Sequence, residues 1–343
     1  MARRPTITDL AHAAGVGTAT VDRVLNGRGN VREATVERVA EAAARIGYHG
    51  ASLLRHRARA PRPRLRIGFV FPKQTQAFYA NFAAQVQASV VDRADIDGQC
   101  VIRYPDAATP ESYEATLRSL GESVDVIGAV AINHPKVTQA VEALAARGVR
   151  TLTLLNDCAQ GVRSAYLGTN NMKVGRIAAW MLATQIREAG RIAIFVGGHH
   201  WHGHHLREAG FHAYMREMAP QHELLPTFVN LDTRQMTYEA TASLLAREPN
   251  LRGMYVAGGG MEGAIAALRE LRPPGKISLV VNEITDESRA ALIDRYVCLA
   301  IATPLRDLCA DAVGIMARLH LSNEWPAQSQ MFYEPLLFSP ESV

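Results

Sequence analysis

The chain has 343 residues, 48% of them hydrophobic and 20% charged, with a formal net charge of +4 and four cysteines. That length allows two or three domains and a large buried core, and no apolar run approaches the roughly 20 residues a membrane span needs. MARRPTITDL puts two arginines ahead of no apolar stretch, so no signal peptide is expected and the chain is read as cytoplasmic; Cys100, Cys158, Cys298 and Cys309 lack metal or CxxC spacing and are read as reduced thiols.

The charge is unevenly spread. Residues 1–66 hold 13 Arg, no Lys and 5 acidic residues, net +8, and the remainder carries net −4. One end therefore seeks a polyanion and the bulk does not. Neutralising phosphates releases condensed counterions, so nucleic-acid affinity should fall steeply with salt, with a log-log slope of about −0.9 per phosphate contact.

TITDLAHAAGVGTATVDRVLN, residues 6–26, predicts two helices and a tight turn. Thr6 can cap the first, with Asp9 three residues on to reach back in a capping box. The helix then runs over about 7–14 with Leu10, Ala11 and Ala14 as its buried stripe. Gly15 takes the turn, where the missing Cβ permits positive φ, and Val16 plugs the angle. The second helix, about 18–26, turns Val21, Val24 and Leu25 inward and Thr18, Ala19, Asp22 and Arg23 outward. Small residues at the start of an outward face let a helix sink into a major groove, where a guanidinium donates a forked pair of hydrogen bonds to a guanine edge. Two amphipathic surface helices would give the same periodicity. A third helix over about 32–46, with Val36, Val39, Ala40, Ala43 and Ile46 on one side, favours a shared three-helix core.

ITDLAHAAGV, ATVDRVLNG and VERVAEAAARIGY, in this order and spacing, resemble the headpiece of the lactose-repressor (LacI/GalR) family of bacterial transcription regulators. The resemblance implies base reading by Thr18, Ala19 and Arg23, and contacts to the DNA backbone or base edges at Asn26, Asn30 and Thr35. Gly17 departs from the family, standing where a phosphate-binding serine is usual, and Asp22 replaces a second one. A carboxylate near phosphates is repulsive unless Arg23 or a cytosine amine engages it.

Residues 50–64 read as a hinge and semi-rigid basic linker between a headpiece over 1–49 and a core over 65–343. Six of the twelve residues 55–66 are arginine, and Pro61 and Pro63 forbid a helix there. In the family this segment folds on operator DNA and wedges an apolar side chain into the minor groove. Counting from Tyr48, the wedge position falls on Arg57, which suits a narrow, strongly negative minor groove; Leu53 and Leu54 lie nearby in another register. An unstructured tether is the alternative.

From Leu65 the pattern changes to apolar strands alternating with helices: strands over 65–71, 99–104, 126–132, 150–155, 191–196, 253–257, 278–281 and 299–303, with a helix over 78–90 after the first. Nearly continuous apolar runs imply parallel strands covered on both faces in right-handed βαβ units. So many units exceed one sheet, and two doubly wound parallel-sheet lobes are expected, with ligands gathering at strand carboxyl ends in a cleft between them. IGFVFPKQTQAFYANF, TLLNDCAQGVRSAYLGTNNMKVGRIAAWML, HLREAGFHAY and VVNEITDESRAALIDR before LAIATPL resemble the sugar-binding core shared by LacI/GalR regulators and periplasmic sugar-binding proteins.

Candidate ligand contacts follow the strand ends: Gln74, Phe78 and Tyr79 after the first, Asn156 and Asp157 after the fourth, Arg207 opening a helix beyond the fifth, and Glu283 after VVN. A sugar needs planar polar groups to chelate vicinal hydroxyls and an aromatic face for its C–H side. Arg207, Asp157 and Glu283 supply the first and Phe78, Tyr79 or Trp201 the second. The resemblance places Arg207 at the effector-binding arginine and Glu283 where aspartate is common. AGGGMEG (257–263) lacks the usual asparagine–aspartate pair and TNN (169–171) the usual aspartate, so the ligand need not be a common hexose.

GGHHWHGHHLR crowds five histidines into residues 199–205, yet no Cys or carboxylate pattern completes a zinc site, so pocket lining or a polar loop is preferred, and neither metal nor cofactor is expected. An enzyme acting on a sugar or nucleotide is disfavoured by the absence of GxxxxGK, GxSxG and a convincing GxGxxG motif. A transport or chemoreceptor binding protein would need an export signal. The sequence therefore reads as a transcription regulator, a repressor, binding pseudo-palindromic operator DNA as a homodimer or tetramer and controlled by a sugar, polyol or sugar-acid effector.

Overall fold

The computed structural model describes residues 5–26, 31–51, 54, 62–326 and 328–343. Asn30 and Arg57, both expected at DNA, lie outside the described residues, as does Leu53. Contacts divide the chain into two units, residues 1–66 with 87–100, and residues 67–86 with 101–343.

Three helices open the first unit: α1 (Ile7–Ala14), α2 (Thr18–Asn26) and α3 (Glu33–Arg45). The capping box expected of Thr6 and Asp9 forms in full, the Asp9 amide donating to Thr6 Oγ1 (3.3 Å) and the Thr6 amide to Asp9 Oδ2 (2.8 Å). Gly15 ends α1 at φ 65°, with nothing near its missing Cβ, so the backbone conformation and not crowding selects glycine there. Leu10, Val21, Val24, Val39 and Ala43 close one small core, joined by Tyr48 and Leu54. Leu54, offered by the sequence as a minor-groove wedge, is instead only 2% exposed within that core. Arg45 donates to the Ala13 carbonyl (2.6 Å) and ties α3 to α1.

The rest of the chain builds two sheets. Lobe one contains β1 (Arg64–Val70), β2 (Asp97–Arg103), β3 (Val126–Ala129), β4 (Arg150–Leu154), β5 (Ala165–Thr169) and β12 (Gln330–Tyr333). Lobe two contains β6 (Arg191–Val196), β7 (Glu223–Leu224), β8 (Phe228–Val229), β9 (Leu251–Val256), β10 (Ser278–Asn282), β11 (Leu299–Ala302) and β13 (Leu336–Phe338). Their orders are β12-β5-β4-β3-β1-β2 and β13-β11-β10-β9-β6-β7, with β8 also paired to β6. Both lobes thus place their second strand outside their first and then run on in order, which puts a topological switch point between β1 and β3 and another between β6 and β9.

Two features depart from the sequence reading. Strands β5, β7, β8, β12 and β13 were not expected, being two to five residues long or set beyond the last clear apolar run. The C-terminal β13 also pairs antiparallel to β11, so the second sheet is not wholly parallel. Helices α4 (Ala77–Val91), α5 (Pro110–Leu120) and α6 (Pro135–Ala146) follow β1, β2 and β3. In lobe two, α7 (Asn171–Gln185), α8 (His202–Met218), α9 (Arg234–Arg247), α10 (Met261–Leu271) and α11 (Asp286–Ile293) cover the sheet, and α12 (Leu305–Leu321) returns to pack on β3, β4 and β5. The chain therefore passes between lobes three times, after β5, after β11 and after β12.

Aromatic stacking marks the centre of each lobe. Phe71 and Phe82 lie 4.5 Å apart in lobe one, and Phe211 and Tyr255 lie 5.4 Å apart in lobe two; all four are fully buried. Burying one such side chain stabilises by roughly 1.5–3 kcal/mol. The helix pair α7 and α8 touches backbone to backbone: a Cβ on Gly175 would sit 1.9 Å from the Arg207 carbonyl oxygen, and one on Gly210 would sit 2.2 Å from that of Met172. That close approach fixes α8, and with it Arg207, against the strand ends.

Candidate functional site

A cavity of about 80 Å³ lies where the carboxyl ends of the two sheets meet. On the same measure one water needs roughly 10–15 Å³, so the space suits a small molecule of a few water volumes. Its wall draws Gln76, Phe78 and Tyr79 from beyond β1, Val130 from β3, and Leu155 and Asn156 from β4. Lobe two contributes Trp201, His204 and Arg207 from beyond β6, Asp232 from β8, Gly258, Gly259 and Glu262 from β9, and Asn282 and Glu283 from β10.

Five of the seven expected ligand contacts, Phe78, Tyr79, Trp201, Arg207 and Glu283, thus share one space, as does Asn156. Two do not. Asp157 is buried and turned into lobe one, where it forms a bidentate pair with Arg163 and accepts from Thr153 Oγ1 (3.1 Å) and Gln160 Nε2 (2.9 Å). Both of those ion-paired side chains are at most 6% exposed, and a carboxylate with that many donors has none of its valence left for a ligand. Gln74 is exposed on the loop after β1, and Gln76, two residues on, takes the cavity wall. Arg207 does not open α8; Trp201 holds the cap position and Arg207 falls more than a turn further in.

Arg207 is held from two sides. Its Nε donates to Asn171 Oδ1 and its Nη1 to the Ala257 carbonyl, both at 2.7 Å. Asn171 starts α7 and Ala257 directly follows β9, so the guanidinium is fixed before any ligand arrives, the condition for low-cost binding. Glu283 accepts from the Thr303 amide (2.9 Å) and from Thr303 Oγ1 (2.7 Å), and burial pushes its carboxyl above the ordinary range despite those donors and nearby Arg207. Asn156 and Asn282 are both spoken for: the first donates to the Ala131 carbonyl and accepts from the Gly203 amide, and the second accepts from Tyr255 and donates to the Ile301 carbonyl.

Asp232 was missed in the sequence, and His204 was read there only as part of the histidine-rich stretch taken for pocket lining or a polar loop. Asp232 follows β8, a strand of two residues that leaves no periodic signal. Its Oδ1 accepts the Gly259 amide at 2.7 Å. A Cβ on Gly197 would come within 2.0 Å of Asp232 Oδ2, and one on Gly258 within 2.5 Å of Oδ1 and 2.4 Å of His204 Cε1. The glycine run that seemed to lack polar residues is thus the seat on which Asp232 and His204 lie. His204 Nδ1 accepts the Gly197 amide (3.1 Å), so the neutral ring carries its proton on Nε2, and burial lowers its pKa to about 4. Leu155, Asp232 and Glu283 all hold positive φ, between 53° and 70°. Backbone strain of that kind gathers at ligand sites.

Several hydrogen bonds cross between the lobes around this cavity, among them the one from the Gly203 amide to Asn156 Oδ1 (2.8 Å). Lys73 Nζ donates to the carbonyls of Leu231 (3.0 Å) and Asp232 (3.1 Å), and the Asn133 amide donates to the His200 carbonyl (3.0 Å). The histidine-rich loop otherwise does not converge: among the described residues no three His, Cys, Asp or Glu side chains are grouped as a metal would need. Burial raises the thiol pKa of Cys100 to about 11 and of Cys158 and Cys298 to about 12, which leaves them inert. No helix among the described residues is long and apolar enough to cross a membrane.

In the three-helix unit Thr18, Ala19, Asp22, Arg23 and Asn26 are exposed on one side of α2, and Thr35 is half-buried in the first turn of α3. Arg23 lies along its own helix, its Nε donating to the Ala19 carbonyl (3.2 Å) and its Nη2 to Thr20 Oγ1 (3.3 Å). Asp22, the departure that raised the question of repulsion, accepts from Asn26 Nδ2 at 2.8 Å.

Comparison with known proteins agrees with both halves. Residues 6–50 match the bacterial regulatory proteins of the lacI family, and residues 67–323 match the periplasmic binding protein domain. An "uncharacterized HTH-type transcriptional regulator in aml 5′ region" from Streptomyces limosus is 25% identical over 97% of this chain and 93% of its own length. Catabolite control protein A from Priestia megaterium is 35% identical over 24% of each chain. Among solved structures, an ABC transporter solute binding protein from Agrobacterium vitis bound with α-D-tagatopyranose superposes with TM-score 0.73 at 20% identity, covering 81% of this chain and 95% of that one. A periplasmic solute binding protein from Actinobacillus succinogenes with bound D-allose gives TM-score 0.74 at 16% identity, covering 81% and 98%. With a lacI-family reader ahead of a core that matches over most of the chain, the protein belongs to the periplasmic binding protein domain family and is a DNA-binding transcriptional regulator, not an enzyme.

Proposed function

We propose that this regulator is a homodimeric repressor whose grip on its operator is set by a small polyhydroxylated effector held between the two lobes. One observation carries the reading: a guanidinium fixed by two protein acceptors, Asp232 and Glu283 carboxylates and the aromatic side chains Phe78, Tyr79 and Trp201 line a single cavity between facing strand ends. Hydroxyl groups both donate and accept, and such a mixed polar and aromatic wall is the chemistry that orients a sugar. The sugars bound by the similar solute binding proteins support the same class of ligand.

Thr18, Ala19 and Arg23 on the outer side of α2 read base edges in this proposal, and one reader covers one half-site, so a two-fold dimer prefers a pseudo-palindrome. The effector controls the reader only if it favours one arrangement of the lobes over another, and operator DNA must then change effector affinity by the same factor. The test is a mobility-shift assay with full-length protein on DNA flanking its own gene, at fixed salt, with and without pentoses, hexoses and polyols. A specific complex whose midpoint moves with one of these is expected. Equal affinity for flanking and scrambled DNA would end the operator reading, and a midpoint indifferent to every sugar and polyol would end the effector reading.

A further inference from the structure

Four charged side chains line the cavity, Arg207, Asp232, Glu262 and Glu283, and none makes salt-bridge contact with another charged group among the described residues. All four are half-buried, and half-buried charges that no protein group pairs are met by water or by a ligand, so this arrangement states what a ligand would find there. Glu283 is already satisfied on both oxygens by Thr303. Arg207 has given Nε and Nη1 to neutral acceptors, which leaves Nη2 without a protein acceptor among the described residues. Asp232 has one oxygen on the Gly259 amide and the other without a donor, and Glu262, in the first turn of α10, receives no hydrogen bond from another described residue.

The nearby cations do not redress the balance. Lys73 spends its ammonium on the Leu231 and Asp232 carbonyls, Arg234 faces Glu287 at 3.5 Å, and neither lines the cavity. His204 is neutral at pH 7 and offers one N–H. The wall thus sets three carboxylates against one guanidinium, with the unmet acceptors gathered on Asp232 and on the loop from Gly258 to Glu262 that supports it. An anionic ligand could pair with Arg207 only by bringing its charge into the same small space as three carboxylates.

We infer, building on the effector reading above, that the effector carries no acidic group and sets its strongest hydrogen-bond donor against Asp232 and Glu262, so that amino sugars and neutral sugars are bound and uronic acids and sugar phosphates are rejected. Hydrogen bonds from an ammonium to a carboxylate are roughly twice as strong as neutral ones. Rejection of the anion is specificity by repulsion, which no added attractive contact supplies.

The experiment titrates the full chain by calorimetry with matched sets sharing one ring configuration: D-glucose, D-galactose and D-mannose, their 2-amino derivatives, their uronic acids and their 6-phosphates. In whichever set binds, the acidic members are expected to bind at least tenfold more weakly than the neutral or amino members. Asp232→Asn and Glu262→Gln, made separately, should each narrow that gap. An acid or phosphate that binds the wild-type chain within tenfold of its neutral parent overturns the proposal, as does a gap unchanged in both variants. If no member of any set binds, this proposal is withdrawn, while the effector reading stands or falls on the wider mobility-shift screen of pentoses, hexoses and polyols; a neutral sugar bound alongside its acid likewise withdraws only this proposal.

Discussion

Two arginines show how differently the reader and the cavity are built. Among the described residues Arg23 hydrogen-bonds only within its own helix, four residues back to Ala19 and three back to Thr20, and stays exposed. Arg207 is gripped by the first residue of α7 and the residue after β9, 36 and 50 residues away in sequence. In the function proposed, Arg23 reads base edges, and such a side chain profits from an exposed position that leaves it able to reorient. One that must hold a small molecule in a fixed pose profits from being immobilised in advance, because the ordering cost is met in folding and not in binding. The scaffolding differs in reach as well: the headpiece has a local cap at Thr6 and a tie from Arg45 to Ala13, 32 residues apart, and the core has Arg163, which pairs with Asp157 six residues away and donates to the Ser329 carbonyl (2.9 Å) 166 residues away.

The comparison breaks most easily at Arg163. Arg163→Ala strands Asp157 as a buried, unpaired carboxylate, and loss of about 3–5 kcal/mol of stability is expected by urea unfolding. A loss below about 1 kcal/mol would mean that the core does not depend on this buried pair. Next comes Arg207→Ala, expected to weaken effector binding by about 3 kcal/mol, over a hundredfold, while operator affinity without effector stays within twofold. Normal titration in that variant would remove Arg207 from the site. Arg23→Ala is expected to cost about 1–3 kcal/mol of discrimination between operator and scrambled DNA in competition mobility shifts, with effector binding unchanged. Thr6→Ala, which removes only a local cap, should lower headpiece stability by about 1 kcal/mol, read by amide exchange of α1.

A further effect concerns pH. His204 is held neutral, with its pKa lowered from 6.5 to about 4, so the folded state takes up its proton later than the unfolded chain does. The stability it contributes is complete above pH 6.5 and lost as pH falls from 6.5 through about 4. His204→Gln has no such proton to resist, and its melting temperature should fall less over that interval than the wild type's. Equal slopes would place the ring in a wetter environment than its contacts with Gly197 and Gly258 indicate.

The headpiece was legible because its rules are local. A cap three residues from its partner, a glycine at a turn and an apolar stripe every three to four residues are visible in 20 letters, and α1, α2 and their inward faces lie where the spacing puts them. Strands β1, β3, β4, β6, β9, β10 and β11 were equally visible as apolar runs, because a strand buried on both faces has no polar alternation to hide it. The two-residue strands β7 and β8 and the edge strands β12 and β13 carried no such run, and the three crossings between lobes went unseen with them.

Residue type and position after a strand placed Arg207, Glu283, Phe78, Tyr79 and Trp201 together, since ligands meet an α/β sheet at its carboxyl end. The same rule put forward Asp157 and Gln74, which lie off this cavity, and passed over Asp232. Composition, charge asymmetry and periodicity by themselves determined a basic helical reader followed by two parallel-sheet lobes. Which carboxylate is spent on a buried arginine and which faces a ligand was decided only in three dimensions. Asp157 and Asp232 are the same residue type in similar loops. Arg163 takes up the first, and a seat of glycines from two other loops leaves the second with an unmatched oxygen. Those partners lie anywhere from 6 to 35 residues away, and no local pattern of letters encodes contacts that exist only once the sheets have closed on one another.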